Sequence, residues 1–331
     1  MNGITLVTGA TGFVGSAIVR ALLARGERVR VLARPASDRS NLTGLSVEIA
    51  EGSLEDQASL ARAVAGCARL YHAAADYRLW VPDEAAMLRA NVEGTRALMQ
   101  AAQAAGLERI VYTSSVATLG HVEHGAADEE TPSGLAEMIG PYKKSKFLAE
   151  AVVRRMADES GLPVVIVNPS TPIGPGDIKP TPTGRTIVEA ANGRMPAYLD
   201  TGLNLVHVAD VAEGHLLAME RGRIGQRYIL GGDNLPLSEI LGRIAILTGR
   251  KPPTVRLPRL PLFPLAVGAE LWARFGGGEP FLTVDGLRMA RWRMYFSSAK
   301  AEAELGYRHR PADQALADAV EWFRAQGRVA R

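Results

Sequence analysis

The chain has 331 residues, 47% hydrophobic and 22% charged, with a formal net charge of +3 and a pI near 9.1. That length suits one large α/β domain with an appended lobe, and no uncharged apolar run reaches the roughly eighteen residues a membrane-spanning helix needs. The single cysteine, Cys67, excludes an intrachain disulfide and a thiolate metal cluster and fits a reducing cytoplasm. Only six of the 38 basic residues are lysine, and the arginines are interspersed with acids without a basic stripe, which points away from a nucleic-acid partner.

Ile4–Thr8 is a short β-prone run ending in a glycine-rich turn. Val14, Ile18, Val19, Leu22 and Leu23 then recur at helical spacing, and Gly26 closes that helix. Residues 29–32, 47–49, 70–75, 110–114 and 164–167 predict five further strands, separated by helical stretches at 55–65, 84–105 and 140–160. Such alternation requires crossover connections, hence a parallel sheet covered on both faces. This is a doubly wound α/β fold of the Rossmann type, whose ligands bind at the carboxyl ends of the strands. A Pro/Gly-rich stretch at 169–182 breaks the rhythm. A strand and helix resume over 205–220, followed by a strand at 227–230 and helices at 237–248 and 311–324. Residues 1–168, completed by about 203–232, are expected to form the cofactor domain, with 169–202 and 233–331 as a smaller C-terminal substrate lobe. The apolar, proline-rich segment 257–275 belongs to that lobe, and Trp272 and Phe275 are expected to pack inside it rather than form a lid or touch a membrane.

Thr8-Gly9-Ala10-Thr11-Gly12-Phe13-Val14-Gly15 places three glycines at a three-residue period between the first strand and the first helix. Gly9 permits the tight turn, Gly12 lets a pyrophosphate approach backbone N–H groups, and Gly15 allows close helix packing. The helix N-terminus adds partial positive charge for the phosphates. Gly9, Thr11, Gly12, Phe13 and Val14 are therefore cofactor candidates. Strand two ends in Ala33-Arg34, with Ser37 and Arg39 beyond, where an acid would hold an adenosine 2′-hydroxyl. A guanidinium can instead grip a 2′-phosphate, so NADP is expected, with NAD the alternative. Ser53, Leu54, Ala73, Ala74 and Ala75 are positioned to line the adenine and ribose sites, and Pro169 closes the list at the end of strand six.

Tyr142 and Lys146, four apart on a predicted helix, share one face. Ser115 lies at the carboxyl end of strand five, where an open parallel sheet presents catalytic groups. A phenol near pKa 10 is a poor base at neutral pH. Lys146 and an oxidised nicotinamide are expected to lower it. Tyr142 could then exchange a proton with a substrate hydroxyl while Ser115 holds the same oxygen, and Lys146 would also bind the nicotinamide ribose.

The glycine triplet, Ser115, Tyr142, Lys146 and the Asn91-Val-Glu-Gly-Thr run together resemble the extended short-chain dehydrogenase/reductase superfamily, the NAD-dependent epimerase/dehydratase family. The similarity covers essentially the whole chain, including the Leu305-Gly306-Tyr307 and Trp322-Phe323 pattern. Within it, residues 177–185 and 201–207 are similar to the hopanoid-associated sugar epimerase family. Dihydroflavonol-4-reductases are the next relatives, sharing the arginine after strand two and the Asn168-Pro169-Ser170 context. Arg34 departs from nucleotide-sugar epimerases, which usually have an acid there, and Ser53 stands where many relatives have an adenine-contacting aspartate. The resemblance implies an NAD(P)-dependent enzyme with Ser115, Tyr142 and Lys146 catalytic, Asn91 at the cofactor, and a homodimer formed through the helices beside the tyrosine.

For the substrate, Tyr77, Ser115 and Asn168 are expected to border the pocket, with Asp76, Arg78 and Trp80 near Tyr77. Lys179, Arg185 and Arg194 could meet a diphosphate or simply solvate a loop. His72 and His207 lack ligand spacing, so no metal site is expected. Three functions follow: epimerization of a (nucleotide-)sugar in hopanoid biosynthesis, NADPH-dependent carbonyl reduction, or non-catalytic dinucleotide sensing.

Overall fold

A computed structural model describes residues 3–78, 81, 83–277, 280 and 282–330; Trp80 lies outside the described residues. The strands in chain order are β1 (Ile4–Thr8), β2 (Val29–Ala33), β3 (Glu48–Glu51), β4 (Cys67–His72), β5 (Arg109–Thr113), β6 (Val164–Pro169), β7 (Thr171–Ile173), β8 (Ala197–Leu199), β9 (Gly202–His207), β10 (Arg227–Leu230), β11 (Asp233–Pro236), β12 (Val255–Leu257) and β13 (Arg293–Met294). The helices are α1 (Phe13–Ala24), α2 (Gln57–Val64), α3 (Glu84–Leu88), α4 (Gly94–Ala104), α5 (Gly140–Ser160), α6 (Pro182–Ala191), α7 (Val208–Arg221), α8 (Leu237–Thr248), α9 (Phe263–Trp272), α10 (Val284–Met289), α11 (Ala299–Leu305) and α12 (Ala312–Ala325).

Seven strands form one sheet in the order β10-β6-β5-β4-β1-β2-β3, and each neighbouring pair is parallel. The sequence explains this burial: β6 reads Val-Val-Ile-Val-Asn-Pro and every residue of it is buried, as a strand covered on both faces must be. Ile18, Val19 and Leu22 of α1 pack with Val211, Leu216 and Met219 of α7 on one face. Leu60 and Val64 of α2, Leu98 and Met99 of α4, and Ala149 and Val153 of α5 cover the other. Each such large side chain contributes about 1.5–3 kcal/mol on burial. The strand order reverses between β1 and β4, which opens a crevice at their carboxyl ends, just where the glycine turn leaves β1.

The smaller lobe is built on a second sheet, β11-β9-β13, with β7 parallel to β9. Its core joins Ile187, Leu205, Ile240 and Ile244 to Ala315, Leu316 and Phe323 of α12. The stretch expected to be loop after Asn168 therefore contains β7. Residues 203–207, expected to complete the large sheet, join the small one, because β9 is already paired by β7, β11 and β13; α7 and β10 return to the large sheet.

Two other expectations are corrected. The helix over 84–105 is interrupted by a π-turn at Arg89–Glu93, centred on Asn91. Trp272 and Phe275 do not pack inside the lobe: they are 74% and 88% exposed, while the small Ala266 of α9 and Ala273 just past its end face inward.

Candidate active site

The glycine turn is held by backbone contacts that side chains would break. Gly9 has φ +72°, and a Cβ there would lie 2.6 Å from the Ala74 amide nitrogen; a Cβ on Gly15 would lie 2.1 Å from the Gly9 carbonyl oxygen. Gly12 differs: only the Gly9 oxygen, at 3.2 Å, comes within reach of its Cβ position. Two glycines thus close the fold and the middle one leaves an approach open, which is the cradle a pyrophosphate requires. Gly12 caps α1 without a side-chain hydrogen bond, and the first turn, containing Phe13 and Val14, carries no acid to spend the helix's partial charge. The Thr11 carbonyl accepts from Asn41 Nδ2 at 3.2 Å, and the same amide reaches the Gly176 carbonyl at 3.1 Å, tying the turn to the stretch after β7. The residues present therefore fit a dinucleotide.

Around the adenosine end, Arg34 is exposed, and its guanidinium makes no hydrogen bond or ion pair among the described residues. Its field reaches Asp76, whose carboxyl lies below the usual range although burial opposes this; Arg78 and Arg34 hold it down. Arg39 is paired with Glu51 at 2.7 Å and is not free for a phosphate. Ser53 Oγ accepts from the Glu55 amide at 3.2 Å. Leu54 is in close contact with Gly94 of α4, where a Cβ would sit 2.8 Å from it. After β4, the Ala73 and Ala74 amides donate to the carbonyl and hydroxyl of Thr8 at 3.2 and 3.4 Å, and Ala75 follows, half-buried.

Ser115 ends the turn after β5 with its Oγ accepting from the Ala117 amide at 3.1 Å, so its own proton stays available for donation. Tyr142 and Lys146 stand on α5, which starts at the positive-φ Gly140 with Pro141 in its first turn. Burial pushes the Tyr142 phenol above its ordinary range, opposed by hydrogen bonding from Ser115. Lys146, expected together with an oxidised nicotinamide to lower it, makes no hydrogen bond to this phenol among the described residues. The Lys146 ammonium is turned to the Thr113 carbonyl at 2.7 Å and the Tyr112 hydroxyl at 3.3 Å instead. Burial brings Lys146 itself down to about 8, with Glu150 opposing.

Asn91, expected at the cofactor, ties the site together. Its Oδ1 accepts from the Asp76 amide at 2.8 Å, and its Nδ2 donates to the Asp76 carbonyl and Ser145 Oγ, both at 2.9 Å. Ser145 in turn donates to the Tyr142 carbonyl at 2.8 Å, so Asn91 bolts the loop after β4 to the tyrosine's turn of α5. The π-turn is what carries this side chain there.

Sequence reasoning missed Glu150. It is buried, and its Oε2 accepts from Ser114 Oγ at 2.5 Å, Thr118 Oγ1 at 2.9 Å and Asn168 Nδ2 at 3.0 Å, while Oε1 pairs with Arg227 at 3.3 Å. Asn168 also donates to the Ser115 carbonyl at 3.0 Å, so this carboxylate anchors the turn that presents Ser115. The available signal was the 142–146–150 stripe at helical spacing. His72 joins Thr8 Oγ1 at 2.7 Å to Thr95 Oγ1 at 3.0 Å, and burial lowers it to about 3, so it is neutral.

Asn168 Oδ1 and Ser170 Oγ, at the end of β6 on either side of Pro169, are buried polar atoms without a partner in the described structure. Tyr77 is half-exposed near Asp177 and Arg185, whose charges act on it in opposite directions. Asp177 is buried, accepts from the Thr181 amide at 2.9 Å, and is raised to about 6 by desolvation. Lys179 acts on Asp38, and Arg194 is paired with Glu189 at 3.3 Å. His207 caps α7, accepting from the Ala209 amide at 2.9 Å, and faces Asp318.

Comparison with known proteins agrees with this geometry. A protein named "Putative dihydroflavonol 4-reductase" from Synechocystis sp. is 46% identical over 329 residues, 98% of this chain and 95% of its own length. "Sterol demethylase protein B" from Methylococcus capsulatus is 38% identical over 98% of this chain and 99% of its own. The crystal structure of gox2253 superposes with a TM-score of 0.90 at 55% identity, covering 99% of this chain and 100% of that one. The sequence pattern of the NAD dependent epimerase/dehydratase family matches residues 5–231. The chain belongs to that family: it is an extended short-chain dehydrogenase/reductase-type enzyme dependent on a nicotinamide dinucleotide.

Proposed function

We propose that the chain is an NADP(H)-dependent carbonyl reductase acting on a ring-bearing, largely apolar substrate at Ser115, Tyr142 and Lys146. The observation that carries this is the half-buried Tyr142 beside Ser115. A phenol is protonated at neutral pH and desolvation moves this one further in that direction, the form needed to deliver a proton to a carbonyl oxygen. Ser115 Oγ, oriented by the Ala117 amide, donates to that oxygen and stabilises the developing alkoxide. Lys146, held under the site by Thr113 and Tyr112, supplies positive charge and, through its remaining proton, a hold on the nicotinamide ribose. The dinucleotide, when bound, supplies or takes up the hydride. Gly9, Thr11, Gly12, Phe13 and Val14 would hold its pyrophosphate, Ser53, Leu54 and Ala73–Ala75 its adenosine, and Arg34 its 2′-phosphate.

Two relatives are named for a dihydroflavonol and for a sterol, which supports the substrate class. Tyr77, Asn168, Lys179 and Arg185 would border that substrate. A second reading, the hopanoid-associated sugar epimerase, is favoured by the family description and by Arg185 near Tyr77. The two separate on stoichiometry. A reductase consumes NADPH in step with product from a dihydroflavonol or sterol ketone, whereas an epimerase scrambles a nucleotide sugar with no net change in reduced nicotinamide. Pairing through α4 and α5 into a homodimer is part of the proposal and is read by light scattering.

A further inference from the structure

Helix α9 is built inside out. Its outward stripe, Pro264, Leu265, Gly268, Leu271, Trp272 and, just past its end, Phe275, follows i, i+1, i+4, i+7, i+8, i+11 spacing and is exposed throughout, whereas Ala266 and, just past the end, Ala273 face inward. Leu271 is 51% exposed, Trp272 74% and Phe275 88%, and Leu260 in the turn leading into the helix is 72%. The helix has one charged residue, Glu270, and that carboxylate accepts from the Val284 amide at 2.8 Å. Bulky apolar residues on the water side and small ones on the protein side oppose what a soluble helix needs.

Charge says what covers this face. Residues 250–293 hold eight Lys/Arg and three Asp/Glu, a net of +5 in a chain whose total is +3, so the remainder sums to −2. Asp200 offsets Arg256 and Arg293, and Asp285 offsets Arg288, which leaves Arg274, between Trp272 and Phe275 in sequence, exposed beside the stripe, and Arg250, Lys251 and Arg291 exposed elsewhere in the same stretch. A second copy meeting this face across a two-fold axis would bring like charges together. An anionic lipid surface would attract them, and an exposed tryptophan suits the headgroup boundary.

We propose that the protein docks peripherally on anionic phospholipid bilayers through the apolar stripe of α9 and the basic residues of the same stretch. The inference stands apart from the choice between reductase and epimerase. The helix lies in the plane of the interface with Leu271, Trp272 and Phe275 in the acyl boundary, and the substrate lobe faces the lipid.

The test is co-sedimentation of the full chain with vesicles of phosphatidylcholine mixed with phosphatidylglycerol, against pure phosphatidylcholine, at low and high salt. Binding is expected on the mixed vesicles, weakened by salt and by removing the anionic lipid. The double variant Trp272→Ser/Phe275→Ser should bind roughly tenfold or more weakly, and Arg274→Glu should weaken binding on mixed vesicles alone. Both variants should keep wild-type NADPH affinity and melting temperature, since the altered side chains are exposed. Absence of wild-type binding to mixed vesicles, or equal binding by the double variant, overturns the proposal. So does a double variant whose only change is a smaller oligomer in light scattering, which would assign the face to a second copy of the chain.

Discussion

Replacing Glu150 by alanine tests the claim that one buried carboxylate fixes the turn presenting Ser115. The substitution leaves the hydroxyls of Ser114 and Thr118 and the Asn168 amide without their shared acceptor, and Arg227 without its carboxylate, although Arg227 keeps the Glu129 carbonyl. Removing one partner of a buried ion pair costs about 3–5 kcal/mol. At roughly 2 cal/mol/K per residue the unfolding entropy of 331 residues is about 0.7 kcal/mol/K, so the melting temperature should fall by about 4–7 °C. Glu150→Gln keeps the shape and an acceptor oxygen and loses the charge, so about half that fall is expected. Thermal scans of the three proteins give the shifts. Turnover should fall with NADPH affinity unchanged, because the glycine turn is untouched. A Glu150→Ala protein that melts with the wild type and turns over at its rate would refute the anchoring argument.

Arg34→Ala should weaken NADPH binding roughly ten- to hundredfold, the worth of about 1.5–3 kcal/mol of charge-assisted hydrogen bonding, and leave NADH binding alone; fluorescence titration of both nucleotides reads this, and equal losses would remove Arg34 from the 2′-phosphate. Gly15→Ala puts a Cβ 2.1 Å from the Gly9 oxygen, so the turn must shift, and both nucleotides should bind more weakly; unchanged titrations would show the turn is not the cradle. Acid should destabilise the fold through the buried histidines. His72 and His215 are lowered to about 3 and about 4, so between those values and about 6.5 the unfolded chain binds more protons and stability falls as pH falls. Asp177, raised to about 6, acts in the opposite sense, gaining stability as pH drops from about 6 towards 3.8. Urea midpoints measured between pH 7 and about 4 should therefore decline, and decline more steeply in Asp177→Asn; a flat profile in both would contradict the burial of these groups.

The large sheet was legible because its strands are continuous apolar runs and its first turn must be glycine. Gly9 and Gly15 are imposed by backbone approach and Gly12 leaves an approach open, a pattern the three-residue spacing in the sequence records. What was not legible depended on tertiary partners. The supporting bonds of Asn91 to Asp76 and Ser145 depend on a π-turn inside a helix, which leaves no periodic signature. Glu150 looks like a helical surface acid until its hydroxyl and amide donors converge from β5, β6 and the turn between them and α5. Arg34 and Arg39 look equivalent in sequence, and only the fold shows Arg39 paired with Glu51 and Arg34 left exposed. The exposed Trp272 and Phe275 fail the ordinary rule that large apolar residues go inside, and a site of that kind is where such a rule is expected to fail.

The central claim, net reduction at Ser115, Tyr142 and Lys146, is tested most directly by following NADPH consumption against alcohol product with a dihydroflavonol or sterol ketone, in wild type and Tyr142→Phe. Equal molar amounts of NADPH consumed and alcohol formed are expected. The variant should be slower by roughly a hundredfold or more while binding NADPH as tightly. A nucleotide sugar epimerised without consumption of NADPH, or a Tyr142→Phe enzyme at full rate, would contradict the account.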